Sequence, residues 1–266
     1  MSKLIKTTYN LNKNMGIKIA VVADLHDTNP KEVLLKLKQE KPDLILVPGD
    51  LLERVTEKLS FDDEERFLIS YKIAGTLSKS LNGLAHIFPA LQIKDNKNIN
   101  CGRIFLRKAR QIAPVIVSNG NHEMFYYQED LAEFTGNCKL LLNEDIQLNI
   151  KNKKILLGGL SSEKNIEWLK NFSKKDGFKI LLCHHPEYYD EIKEVTNDKI
   201  DLIVSGHAHG GQWNLFGKPI FAPGAGIFPK YAYGIYDKKL IVSAGCSNTV
   251  NIPRFNNPKE LVIINL

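Results

Sequence analysis

Six of the seven histidines, His26, His122, His184, His185, His207 and His209, directly follow a short apolar run of the kind that forms a buried strand, and only His86 lies elsewhere. Asp24, Asp50 and Asn121 occupy the same kind of position. Together these residues offer carboxylate, amide and imidazole donors without a thiolate. Such a set suits Mn²⁺, Fe²⁺, Zn²⁺ or Co²⁺ better than Cu⁺ or an iron–sulfur cluster. Asp24, His26, Asp50, Asn121, His184, His207 and His209 are more donors than one tetrahedral ion needs, which argues for two divalent ions sharing a carboxylate, with Asp50 as the bridge. In Asp24-Leu25-His26 and His207-Ala208-His209, alternation along an extended segment would put the first and third side chains on one side. By composition alone a Gly-His-x-His pattern arises in about one chain in a hundred of this kind. Its occurrence in order with Asp-Leu-His, Gly-Asp, Gly-Asn-His-Glu and His-His-Pro-Glu, each after an apolar run, makes chance a poor explanation.

The elements that must carry these residues are legible in the hydrophobic runs. Ile17 to Ala23 reads as a buried strand ending at Asp24. After Pro30, Val33, Leu34 and Leu37 are spaced as on one face of a helix over Lys31 to Glu40, and Pro42 closes it before a second strand, Leu44 to Val47. This βαβ unit delivers Pro48-Gly49-Asp50 to the second strand's end. Phe61 to Ser80 reads as a helix with acids in its first turn. Residues 81–112 read as a surface excursion, a plain connection first and a lid second. Val115 to Val117, Lys154 to Leu157, Ile180 to Cys183 and Leu202 to Val204 are further strands, each expected to end at a loop. In α/β folds, loops at the carboxyl ends of strands converge on one crevice, so residues far apart in sequence can meet there. From Pro219 onward, short strands between Gly and Pro turns are expected to complete a second sheet with antiparallel pairing.

At 266 residues with 43% hydrophobic composition, the chain is expected to form one domain over 1–266. The apolar runs are far shorter than the ~20 residues of a membrane span, so a cytoplasmic protein without a transmembrane segment is expected. Cys101, Cys138, Cys183 and Cys246 show no CxxC spacing and read as reduced cysteines. The net charge of +6 comes from scattered lysines rather than a basic block, which only mildly favours anionic partners and argues against nucleic acid. Oligomeric state is not encoded in any motif.

The blocks Asp24-x-His26, Gly49-Asp50, Gly120-Asn121-His122-Glu123, His184 and Gly206-His207-x-His209 resemble the calcineurin-like metallophosphoesterase superfamily. Tail residues including Gly224-x-Gly226, Tyr231, Gly234, Tyr236, Gly245, Pro253 and Arg254 are similar to the bacterial branch of small YkuE- and YaeI-like phosphodiesterases. The resemblance implies an α/β fold, a four-layer α/β/β/α sandwich of two mixed β-sheets flanked by helices. It assigns Asp24, His26, Asp50 and His209 to one metal, and Asp50, Asn121, His184 and His207 to the other. His122 would stay uncoordinated and act as general acid while a metal-bridging hydroxide attacks phosphorus, with phosphodiesters favoured over phosphomonoesters. Two Mn²⁺, Fe²⁺ or Zn²⁺ ions are the implied cofactors. The sequence departs from the family pattern at Asp27-Thr28, where a glycine often stands two residues beyond the histidine. It also lacks the tyrosine that purple acid phosphatases place after Gly-Asp, since Leu51-Leu52-Glu53 follows here, so a tyrosinate–iron centre is not expected.

Competing readings stand beside these. A metal-binding scaffold without catalysis would tend to lose the histidine that His122 represents, and a nuclease would need a nucleic-acid track. His185, next to His184, should point aside and support rather than ligate. Glu123 is expected to orient a neighbouring loop. Tyr126, Tyr127, Tyr188, Tyr189 and Trp213 read as packing residues before they read as a substrate rim. Arg254 could grip a phosphate oxygen, although a tail arginine more often forms a surface ion pair. Phe221, Ile227 and Phe228, with Lys230, are more simply explained by sheet turns than by peripheral membrane contact.

Overall fold

The computed structural model describes residues 3–53, 101–125, 135–136, 138–222, 226–248 and 254–266. The helix expected over Phe61 to Ser80, His86, and the excursion as far as residue 100 lie outside them; the remainder of that excursion opens with a helix, Cys101–Ala109.

Among the described residues, the strands are β1 (Leu4–Asn10), β2 (Lys18–Val21), β3 (Leu44–Pro48), β4 (Val115–Ser118), β5 (Lys139–Leu141), β6 (Glu144–Ile150), β7 (Lys153–Leu160), β8 (Phe178–Cys183), β9 (Leu202–Ser205), β10 (Trp213–Leu215), β11 (Lys218–Ala222), β12 (Gly226–Ile227), β13 (Gly234–Tyr236), β14 (Leu240–Val242) and β15 (Lys259–Asn265). The helices are α1 (Lys31–Glu40), α2 (Cys101–Ala109), α3 (Ile166–Ser173) and α4 (Tyr189–Thr196). One six-stranded sheet has the order β1-β15-β2-β3-β4-β5 and the other β13-β14-β9-β8-β7-β6, and both are mixed.

Period-two alternation builds the layers. Ile19, Val21, Leu44 and Leu46 of the first sheet and Ile180, Leu182, Leu202 and Val204 of the second meet in one core between the sheets. Their neighbours Ala20, Val22, Ile45 and Val47 face the other way, onto Leu37 of α1 and Phe105 of α2. Leu156 and Leu181 face Leu169 and Phe172 of α3 and Ile192 of α4. The result is the expected four-layer α/β/β/α sandwich. Because the central strands are buried on both faces, they read as unbroken apolar runs.

Helix α1 begins and ends where its prolines predicted; Lys41 closes it in the left-handed conformation, donating its N–H to the Leu37 carbonyl. Helix α3 is capped by Asn165, whose side chain accepts the Trp168 N–H at 2.9 Å.

Two expectations change. The strand over Lys154 to Leu157 does not stop at Gly158-Gly159 but runs on to Leu160. Those glycines serve packing: a Cβ on Gly158 would lie 2.9 Å from the Phe172 ring, and one on Gly159 would lie 2.5 Å from the Leu141 Cβ. The C-terminal region also divides. Strands β10-β11-β12 form a separate small antiparallel sheet, β14 joins the second sheet parallel to β9, and β15 inserts into the first sheet between β1 and β2.

Candidate metal centre

Every block singled out in the sequence leaves the carboxyl end of a parallel strand: Asp24 after β2, Asp50 after β3, Asn121 and His122 after β4, His184 after β8, His207 and His209 after β9. Three of these strands belong to one sheet and two to the other, so the site forms where the two sheets share an edge.

Asp50 joins the two halves. Its Oδ2 lies 3.2 Å from His184 Nε2, 3.6 Å from His26 Nε2 and 3.8 Å from His122 Nε2, while Oδ1 accepts the His122 backbone N–H at 3.0 Å. On one side, His26 Nε2 and His209 Nε2 face each other at 3.3 Å, and Asp24 Oδ1 lies 3.9 Å from His209 Nε2. On the other side, Asn121 Oδ1 lies 3.1 Å from His184 Nε2 and 3.0 Å from His207 Nδ1. The triads Asp24, His26, His209 and Asp50, His184, His207 each bring one ligand atom per residue within 4.8 Å of the others.

The arrangement fits divalent cations. Asp24 is fully buried, and its Oδ2 has no hydrogen-bond partner among the described residues, a costly state that a cation would relieve. The ring of His184 is turned by the Pro48 carbonyl, which can only accept and therefore fixes a proton on Nδ1 at 2.9 Å, leaving Nε2 aimed into the site, where ligation would displace its proton.

Electrostatics follow from burial and crowding. Burial, aided by the nearby Asp50 charge, raises the Asp24 carboxyl to about 7. Burial works against the charged form of His184, but the Asp50 carboxylate outweighs it and lifts the imidazole to about 10. Asp50 itself is buried too, yet the surrounding imidazoles, His184 foremost, hold it well below the usual carboxylate range. Burial pushes His207 down to about 3, and burial with the neighbouring His26 and Arg254 pushes His209 well below its ordinary value.

The backbone that presents these groups is unusual. Asp24, His26, Asp50, His207 and His209 all adopt positive φ, between 47° and 69°. The expected extended alternation in Asp-x-His and His-x-His is therefore replaced by left-handed turns, a region that Asp, Asn and His enter more readily than other side chains but still at a cost of about 1 kcal/mol or more each. Glycines make room for the loops. A Cβ on Gly49 (φ +90°) would lie 2.5 Å from the Gly120 nitrogen, and one on Gly206 would lie 2.6 Å from Asp24 Oδ2.

Around this set lie supports that the sequence left undefined or unnoticed. Glu123 accepts backbone N–H groups from Asp50 at 2.8 Å, Leu52 at 2.8 Å and Gly120 at 2.7 Å, tying the loops after β3 and β4 together. Asp27, at the departure from the family pattern, accepts the Glu53 N–H at 3.0 Å and the Gly102 N–H at 2.9 Å at the start of α2. Thr28 closes the same loop by donating its hydroxyl to the Leu25 carbonyl at 2.7 Å. Glu53 had no place in the sequence reading; its Oε1 lies 2.9 Å from His122 Nδ1. Only its spacing, three residues past Asp50, could have pointed to it.

His185 points aside as expected: its Nδ1 meets Glu187 at 2.9 Å and its Nε2 meets Ser162 Oγ at 3.1 Å, while its ring packs on His207 with centroids 4.4 Å apart. Tyr189 is buried against Tyr231, and Tyr188 stacks on His185. Tyr126 and Tyr127 lie outside the described residues. Among the described residues Arg254 is half-buried rather than at the surface. It donates to the carbonyls of Ala244 at 2.7 Å and of Ser247, with Nη2 3.4 Å from His209 Nδ1. All four cysteines are free thiols.

The sequence model of the calcineurin-like phosphoesterases matches residues 17–211. The Bacillus subtilis protein YpbG is 26% identical over 85% of this chain and 75% of its own length. A Helicobacter pylori protein described as a metallophosphoesterase is 22% identical, and the Campylobacter jejuni metallophosphoesterase Cj0846 is 26% identical. They match over 99% and 97% of this chain, which spans only 64% and 60% of their lengths. Among solved structures, an archaeal phosphodiesterase aligns over 86% of this chain and 85% of its own at 13% identity and a TM-score of 0.36. A hypothetical protein from Thermus thermophilus aligns over 87% of this chain and 76% of its own at 10% identity and a TM-score of 0.46.

Proposed function

Because this chain belongs to the calcineurin-like phosphoesterase family, we propose that it is a hydrolase of phosphoric esters, phosphodiesters before phosphomonoesters, that works with two divalent cations. The observation that carries this reading is Asp50 Oδ2, which lies within 3.8 Å of imidazoles from three different loops and so stands between two donor sets. Asp24, His26, Asp50 and His209 would hold one ion, and Asp50, Asn121, His184 and His207 the other. When bound, such ions supply a water nucleophile at neutral pH and offset the charge on the phosphoryl oxygens. Mn²⁺, Fe²⁺ and Zn²⁺ all suit the donors.

The protein's own part is positioning and proton delivery. His122 is partly exposed, its backbone N–H is tied to Asp50 Oδ1, and its Nδ1 lies 2.9 Å from Glu53 Oε1. That contact leaves Nε2 directed toward Asp50 and the donor sets. A proton carried on Nε2 would then pass to the departing alkoxide, with His122 as general acid. Glu53 is a positioning residue, acting through His122. Retention of this histidine favours catalysis over a binding scaffold.

The test is turnover of bis-p-nitrophenyl phosphate with added Mn²⁺. Turnover abolished by a chelator and by Asp50→Ala is the expected outcome. No turnover with any aryl phosphate under several metals would sink the reading, and undiminished turnover in His122→Ala would remove the proposed acid. Strong, salt-dependent DNA affinity would instead favour a nuclease.

A further inference from the structure

Three side chains outside the donor sets form a chain of contacts that ends beside one of them. His184-His185-Pro186-Glu187 leaves β8 into a single turn of 3₁₀ helix, Pro186–Tyr188, so the proline at its start fixes the backbone that bears Glu187. Glu187 Oε1 lies 2.9 Å from His185 Nδ1, and His185 Nε2 lies 3.1 Å from Ser162 Oγ. A carboxylate only accepts, so Nδ1 of His185 donates, and the Ser162 hydroxyl can donate to Nε2 of the neutral ring. Tyr188 stacks on the same ring with centroids 4.8 Å apart. His185 is thus held by a hydrogen bond at each nitrogen and by a ring packed against it.

The far end of this chain is His207. The same Glu187 oxygen lies 3.8 Å from His207 Nε2, a charge contact longer than a hydrogen bond. His207 Nδ1 faces the donor set instead, 3.0 Å from Asn121 Oδ1. The His185 ring packs on both imidazoles of that set, with centroids 4.4 Å from His207 and 5.1 Å from His184. Glu187 Oε2 is buried and has no hydrogen-bond partner among the described residues.

An imidazole that ligates through Nδ1 keeps its proton on Nε2, and a carboxylate beside that proton fixes the ring's orientation and strengthens it as a ligand. A buried carboxylate oxygen without a partner is costly, and the positive character that a ring gains when its other nitrogen holds a cation would offset that cost. Resting on the two-ion reading above, we propose that Glu187, braced by His185 and Ser162, is a positioning residue for His207 and selectively strengthens the ion held with Asp50, Asn121 and His184.

The test is Mn²⁺ titration of the chelator-treated full chain, followed by calorimetry and by electron paramagnetic resonance, which distinguishes a lone Mn²⁺ from a coupled pair. Wild type should bind two ions. Glu187→Ala should lower one of the two affinities about ten- to a hundredfold and leave the other unchanged, so that a lone-ion signal persists where wild type shows the pair. Glu187→Gln keeps an acceptor oxygen without the charge and should recover part of that loss; being isosteric, it carries the same test should the alanine variant fold poorly. Ser162→Ala should show a smaller loss at the same ion. In an Asn121→Ala background, where that ion's site is already impaired, Glu187→Ala should leave the other ion's affinity as it was, and a loss there would overturn the assignment. Thermal melts of the metal-free variants should stay close to wild type. Equal binding of both ions by wild type and the Glu187 variants overturns the proposal, as does weakening of both ions, which makes Glu187 structural. Wild type that binds fewer than two ions overturns the two-ion reading itself and this proposal with it, which separates the two failures.

Discussion

Stripping the metals and titrating them back should release protons, and the pKa directions at the site say how many. In the metal-free protein at pH 7, His184, raised to about 10 by Asp50, is protonated, and Asp24, raised to about 7 by burial, is half protonated. His207 and His209, both pushed down, are already neutral, and Asp50, held low, is already ionised. If His184 Nε2 and Asp24 are ligands as proposed, metal binding would displace about one and a half protons from these two groups at pH 7. Apparent affinity should rise with pH, by about tenfold per unit below 7 for the ion that Asp24 would hold and by about tenfold per unit up to 10 for the ion that His184 would hold. The sign for stability of the metal-free protein follows from the same shifts. His184's raised value stabilises the fold below its ordinary range, and that contribution is lost as pH climbs toward 10. Asp24's raised value means the fold prefers its protonated form, so stability falls as pH rises from about 4 through 7. Both trends make the metal-free protein weaker in alkali and make metal rescue larger there. Isothermal titration of chelator-treated protein with Mn²⁺ in two buffers of different ionisation enthalpy measures the proton count. A count of zero at pH 7, or affinity that falls with rising pH, would refute the electrostatic reasoning.

Three further outcomes are expected. Glu53→Gln removes the charge opposite His122 Nδ1 while keeping its shape; both groups are partly exposed, so the loss is discounted to about 1–2 kcal/mol, five- to thirtyfold in kcat, with metal content unchanged. Parallel loss of metal by elemental analysis would instead make Glu53 structural. Gly120→Ala places a Cβ 2.6 Å from the Asp50 nitrogen and against its carboxylate, so metal affinity in chelator competition should drop at least about tenfold. Leu46→Ala, in the core between the sheets, should cost about 2–5 kcal/mol in urea unfolding without altering the chemistry of the site.

Much of the site was readable in the chain because its donors are chemically rare and each sits where an unbroken apolar run stops. The strands β2, β3, β4, β8 and β9 are buried on both faces, so their runs are unambiguous, and helix α1 carried its own proline boundaries. Gly158-Gly159 misled because glycine signals a turn locally, whereas here it answers the approach of Phe172 and Leu141 from other layers. The fate of the C-terminal strands was similarly hidden: β15 pairs with β1 and β2 across more than two hundred residues, and no local pattern encodes which strands become neighbours.

The sequence by itself determined which donors exist, their order and the strand ends that carry them. The tertiary structure decided the rest: that Asp50 stands between His26 and His184, that Glu53 meets His122, and that the donor loops turn through left-handed backbone instead of extending. Donor chemistry is a property of single residues, but a contact between loops depends on how two sheets stack and on the room their glycines leave, which are properties of the packed whole.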